Sequence, residues 1–302
     1  MQLTAVLRFI ESAFAGAVLL FVLAPVSMVL AQDDDTSKAI RAEEFIVRRP
    51  GKNRRPSTVK YRVAAKSTEV VAAVPPAGMV FGEVGVTIWR FRPSTAADVT
   101  KELLEEDGET TSVTLERIKE GTPVAAGQRI RLSIESLSRE GYLYVIDREQ
   151  YSDGTFGEPL LIFPTSRTNS ASYVKAGHLV YIPSVKGRFN IKPSKSGKQQ
   201  VAEALTIIVS PQPLIAGDKL ATTAIRLTAG QVESWEKEFG TKSTTYEMEG
   251  GAGRAMTEKE QAAGVKAIEF TQDDPPPQTV HRVTTKPDAP VLIKVSLPFG
   301  SS

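Results

Sequence analysis

The residues best suited to chemistry crowd into "GYLYVIDREQYSDGTFGEPLLIFPTS", residues 141–166. There Tyr142, Tyr144 and Tyr151 stand among Asp147, Glu149 and Asp153. Three carboxylates at this density could hold a cation. A calcium loop, however, carries acids at alternate positions and closes on a glycine, and this spacing does not fit it. The acids read instead as hairpin-loop residues facing solvent. Asp147, Glu149, Tyr151 and Asp153, together with Arg254 of a distant loop, make a weak candidate interaction surface and nothing stronger.

Other constellations carry less. Ser57-x-x-Lys60 and Ser172-x-x-Lys175 match a serine–lysine pattern, but the Ser-Asp-Asn and Lys-Thr-Gly partners of that chemistry are missing. "GGAGRA", residues 250–255, precedes a capped helix, so its amides and Arg254 could cradle an anion. No strand leads into it and its third dinucleotide-motif glycine is absent, which favours a linker. His178 and His281 are the only histidines, and each sits inside a strand pattern. Cysteine is absent, which excludes disulfides, thiolate metal sites and cysteine nucleophiles. No catalytic, cofactor or metal residue is assigned, and no cofactor is expected.

The elements that must position these residues are strands. Runs rich in Val, Ile, Thr and Tyr recur between Gly, Pro and Asn. "MVFGEVGVTIWRFRP" puts Trp89 and Phe91 on one side and Ile88 on the other. "TSVTLERI" follows in the same style. "QRIRLSIESL" sets Ile130, Leu132 and Ile134 against Arg129, Arg131, Ser133 and Glu135, the pattern of a strand with one wet face. "YLYVI" and "LLIF" are apolar on both faces, so both faces need cover, and Asp153-Gly154 marks the turn of a central hairpin. "HLVYIP", "RFNIKP" and "ALTIIVSP" add further strands. Beyond residue 228, "TAGQVESWEKEFG" and "TEKEQAAGVKAIEF" read as helices, the second with a capping box of Thr257 and Glu260. "TVHRV" and "VLIKVSL" close the chain as strands. The fold class expected is mainly β: an antiparallel β-sandwich or partly open barrel with a short helical C-terminal insert, spanning 79–300, whose C-terminal part covers the Tyr142/Tyr144 face.

The uncharged run from Ala13 to Ala31 after Arg8 reads as a secretory signal peptide, with Val29 and Ala31 at the cleavage positions before Gln32. An uncleaved membrane anchor is the alternative. Residues 32–78 read as a disordered basic linker, because ten basic side chains outnumber two acidic ones between 38 and 66 and large apolar residues are few. Nucleic-acid binding is not expected, since no aromatic platform is interleaved with these charges.

The run "GTPVAAGQRIRLSIES…GYLYVIDREQYSDGT…LLIFPT…VKAGHLVYIP…FNIKPSKSGKQQVAEALTIIVSP" resembles the domain of unknown function family 4384. The motifs that carry it are Gly127, Gly141-Tyr142-Leu-Tyr144, Asp153-Gly154, Phe163-Pro164, Ala176-Gly177, Ile182-Pro183 and Ser210-Pro211. "VTIWRFRPS" and the stretch from "MEGGAGRAM" to "TVHRV" look like an exported acidobacterial-type subgroup. The resemblance covers about residues 80–297. It implies an envelope or secreted setting and transfers no catalytic residue. The expectation for function is an exported, non-catalytic cell-envelope module, periplasmic or secreted, that binds a protein or an anionic envelope polymer. A cell-wall hydrolase and a small-ligand sensor are the alternatives. Membrane contact is expected only through an uncleaved N-terminus.

Overall fold

A computed structural model describes residues 39–51, 57–65, 67, 74–106, 108–168, 171–263 and 268–300. The signal peptide expected over 1–31 lies outside them. In chain order the strands are β1 (Ile40–Arg41), β2 (Lys60–Val63), β3 (Val80–Pro93), β4 (Glu102–Glu106), β5 (Glu109–Ile118), β6 (Arg129–Ser136), β7 (Gly141–Tyr151) and β8 (Leu160–Phe163). They continue with β9 (Tyr173–Val174), β10 (Val180–Ile182), β11 (Phe189–Asn190), β12 (Gln200–Ser210), β13 (Ile225–Arg226), β14 (Ser243–Met248), β15 (Thr279–Thr285) and β16 (Val291–Pro298). Helices α1 (Ala229–Phe239) and α2 (Glu258–Ala263) complete the list. Strand accounts for 43% and helix for 10%, with antiparallel sheets and no closed barrel, so the mainly β class holds.

The strands form a ten-stranded and a six-stranded sheet. In the larger, β3 is the spine. Its residues 80–86 pair with β15 and 88–93 with β5, while 84–90 pair with β6. Because β6 overlaps both other partners, it must run along the opposite edge of β3. The smaller sheet runs β13-β8-β7-β12-β16, with β9 added to β7.

Strand alternation builds the core. Val84, Val86 and Ile88 of β3, Ile130, Leu132 and Ile134 of β6, Leu143 and Val145 of β7, and Leu205, Ile207 and Val209 of β12 share one cluster between the sheets. Burying each such side chain stabilises by roughly 1.5–3 kcal/mol. The other face of the six-stranded sheet is covered as expected: Tyr144, Ile146 and Ile208 pack on Val232 and Trp235 of α1. The Thr228 side chain caps that helix by accepting from Gln231 N, and Gly154 takes φ +80° in the β7–β8 turn.

Three expectations are corrected here. The "wet" face of β6 is dry: Arg131, Ser133 and Glu135 are buried. Arg131 pairs with Glu102, Ser133 accepts from Trp89 Nε1 at 2.9 Å, and Glu135 pairs with Arg49 at 2.5 Å. Charges can occupy a covered face when each has a partner. The disordered basic linker over 32–78 is likewise corrected for the residues described there. Ala42, Phe45, Ile46 and Tyr61 are buried on Tyr246, Met248 and Val280, and β2 pairs with β14. Counting charges hid these four anchors. The helix "TEKEQAAGVKAIEF" is also shorter than expected, since 268–270 are not helical.

Candidate functional site

β16 is the last strand of its sheet, pairing only with β12. Phe299 N donates to Val201 O at 2.8 Å, so in this antiparallel pair the odd residues of β16 point their backbone groups at β12 and the even ones point away. At one end the outward groups are satisfied: Val124 N donates to Pro298 O at 2.8 Å, and Gly300 N to Val124 O at 2.9 Å. At the other end Gly240 bridges to Leu292. Between these clamps Lys294 and Ser296 have exposed side chains and outward backbone groups that meet a groove. Two hollows form it, about 490 and 670 Å³, and both are lined by Glu120 and Thr245. Lys119, Glu247 and Lys294 charge its walls with both signs. Lys119 Nζ lies 3.8 Å from Glu247, and Lys294 Nζ lies 2.8 Å from Glu236.

His281 sits buried under this groove. Its Nε2 lies 2.8 Å from Glu120 Oε2, out of line for a hydrogen bond, and its Nδ1 lies 3.4 Å from Thr245 Oγ1. The types match nucleophile, base and acid. A sealed imidazole and a long hydroxyl contact make it a strut that ties the β5–β6 loop to β14 and β15. His178 is elsewhere, before β10, with Nδ1 beside Ala176 O, so the two histidines are not brought together.

Tyr142 and Tyr144 lie in β7 as the alternation implies, and Asp147 and Glu149 lie in the same strand, which corrects the loop reading of those acids. Leu143, Val145, Asp147, Glu149 and Tyr151 alternate on one face of β7, and that face looks into the sandwich. Glu149 stands directly opposite Glu203 of β12, and Asp147 opposite Leu205. Like charges in register repel. Glu149 is relieved by Tyr151 Oη at 2.5 Å and Ser194 Oγ at 2.7 Å. Asp147 and Glu203 are relieved less. The two acids face each other closely enough to share a proton, Gln200 bonds Glu203 and the Arg148 amide bonds Asp147. No donor reaches Asp147 Oδ1 or Glu203 Oε2, both sealed from solvent, although each residue keeps some exposed surface. Burial, with the charge of Glu149 added, raises Asp147 to about 6. Burial together with the charges of Asp147 and Glu149 raises Glu203 to about 8. Asp153 alone behaves as a solvent-facing turn acid, held down to about 2 by Thr155 and Lys198. Tyr151 is buried, so it offers no platform.

Arg254 does not join them. Its loop is stapled to β5 through Gly253 N to Arg117 O at 2.8 Å and Arg117 N to Arg254 O at 2.9 Å. Arg254 N is turned inward to Gly251 O at 3.2 Å, so those amides cannot cradle an anion. The neighbouring Thr257–Glu260 capping box is present, and Glu260 doubles as the buried partner of Arg117.

The sequence reading missed Glu203, Glu120 and Thr245. Glu203 had a signal: it continues the Leu205, Ile207, Val209 phase, so an acid stood in line with core residues. Glu120 and Thr245 had none. Comparison with family models, with curated proteins and with solved structures finds no match to this chain.

Proposed function

We propose that this chain is an exported, non-catalytic β-sandwich module that binds an extended segment of a protein partner along the open edge of β16. One observation carries the reading: the outward backbone of Lys294 and Ser296 faces a groove between two clamped ends. An extended peptide satisfies such groups as an added strand, its backbone giving affinity and its side chains specificity. Walls of both charge signs suit a polypeptide better than a uniformly anionic polymer. Export rests on the apolar run from Ala13 to Ala31 and its small residues before Gln32. Among the described residues no helix is long and apolar enough to cross a membrane. The resemblance of its motifs to the domain of unknown function family 4384 is compatible with the same setting.

Ser296→Pro tests it. Pro298 already occupies the same outward phase, and proline at an edge position removes only the outward donor. With a photo-crosslinker at Lys294 in intact cells, one partner should be captured through a single extended segment, and Ser296→Pro should abolish that crosslink without lowering the melting temperature. Crosslinks that persist in the proline variant overturn the reading. The hydrolytic alternative has one observation behind it, the Thr245–His281–Glu120 set. It requires that Thr245→Val abolish turnover of peptidoglycan or peptide substrates.

A further inference from the structure

The inner column of β7 passes from Val145 to Asp147, and there a pocket of about 120 Å³ opens between the sheets. Seven of its ten lining residues are apolar, including Leu132, Phe189 and Leu205, while Asn190 is an exposed polar member. The remaining two are Asp147 and Glu203, each aiming an unpartnered, sealed oxygen. The charged groups acting on this pair are acids only: Glu149 on both, and each on the other. Gln200 bonds Glu203 and the Arg148 amide bonds Asp147, but the apolar walls offer Asp147 Oδ1 and Glu203 Oε2 no donor, and a buried acceptor left unmade is destabilising.

We propose that this pocket receives a primary alkylammonium group, its carbon stem along Leu132, Phe189 and Leu205 and its nitrogen donating to Asp147 Oδ1 and Glu203 Oε2. An ammonium carries three donors on a flexible apolar stem, which matches both the walls and the acids. The volume is about four waters' share of the liquid, on the scale of four carbons and a nitrogen. A metal ion fits less well, since no three ligating side chains gather among the described residues. The pair keeps a proton at neutral pH, because Glu203 titrates at about 8. The arriving cation expels that proton to solvent as Glu203 takes the charged form. The pocket uses the inner face of β16, at Leu297, and not its edge, so it stands or falls independently of strand addition.

The test is calorimetric titration of the full chain with n-butylammonium at pH 7, in two buffers of different ionisation heat, with n-butanol as the neutral control. Saturable binding with release of about one proton is expected. Butanol should bind at least about tenfold more weakly, and Glu203→Gln and Asp147→Asn should weaken the amine by a similar factor, as for a lost charge-assisted hydrogen bond. Unfolding midpoints at pH 5, where wild type carries both acids protonated, should coincide across the variants. Should a variant fail to fold, the amine–butanol comparison and the proton count decide. Equal binding of butanol and amine, unchanged binding in both variants, or no saturation overturns the proposal. Tighter binding of a capped Gly-Lys-Gly peptide than of putrescine assigns the group to a protein lysine, and the reverse order to a free polyamine.

Discussion

At the scale of single residues, the acids Asp147, Glu149 and Glu203 stand out because they occupy core phase. Asp147 and Glu203 are carboxyls whose folded-state values lie above their ordinary ones. Such groups lend the fold most stability while protonated, and that contribution is lost as pH rises through the folded value. For Glu203 the contribution is complete below about 4.5 and fades as pH climbs through about 8. Denaturant unfolding should therefore show stability falling between those limits. Glu203→Gln, which keeps the shape and removes the charge, should flatten most of the fall. An unchanged slope in that variant would show that the decline has another source.

At the scale of elements, the N-terminal segment matters most. Arg49 reaches Glu135 with two hydrogen bonds, Nε to Oε1 at 2.8 Å and Nη2 to Oε2 at 2.5 Å, and Nη1 bonds the carbonyls of Thr271, Asp274 and Pro275. Both side chains are sealed, at 1% and 0% exposure. Removing one partner of such a pair strands a buried charge and costs about 3–5 kcal/mol. Arg49→Ala should lose that much in chemical denaturation. A loss below about 1 kcal/mol, typical of surface pairs, would mean that residues 39–51 do not anchor here in solution. The proline run that follows Asp274 presses close on the same sheet: a Cβ added at Gly85 would lie 2.5 Å from Pro277 Cγ. That approach is why β3 carries a glycine opposite Glu135.

At the scale of the whole molecule, the C-terminal third joins both sheets. β14 and β15 complete the ten-stranded sheet and β16 closes the six-stranded one, while α1 covers Tyr144 and Ile146. Truncation after Leu227 should therefore abolish cooperative unfolding and expose apolar surface to a dye probe. Near-UV circular dichroism and dye fluorescence check this. A truncated chain with a sharp native transition would refute it.

Much of this was legible in the residues themselves. Period-two alternation locates β3, β5, β6, β7 and β12 within a few positions, and Asp153-Gly154 marks the hairpin. The Thr257–Glu260 pair marks a helix start through a capping box that needs only neighbouring backbone. Those are local facts, decided by side-chain spacing and turn chemistry. Tertiary structure alone decided which face of each strand is covered. β6 shows Arg131, Ser133 and Glu135 to a surface that residues 42–49 and the β10–β11 loop close over. The same packing turned Asp147 inward, opened β16 at one edge and brought Glu120 and Thr245 to either side of His281. A strand's pattern defines two faces, but burial depends on segments tens to hundreds of residues away, and charged partners at that distance leave no periodic trace.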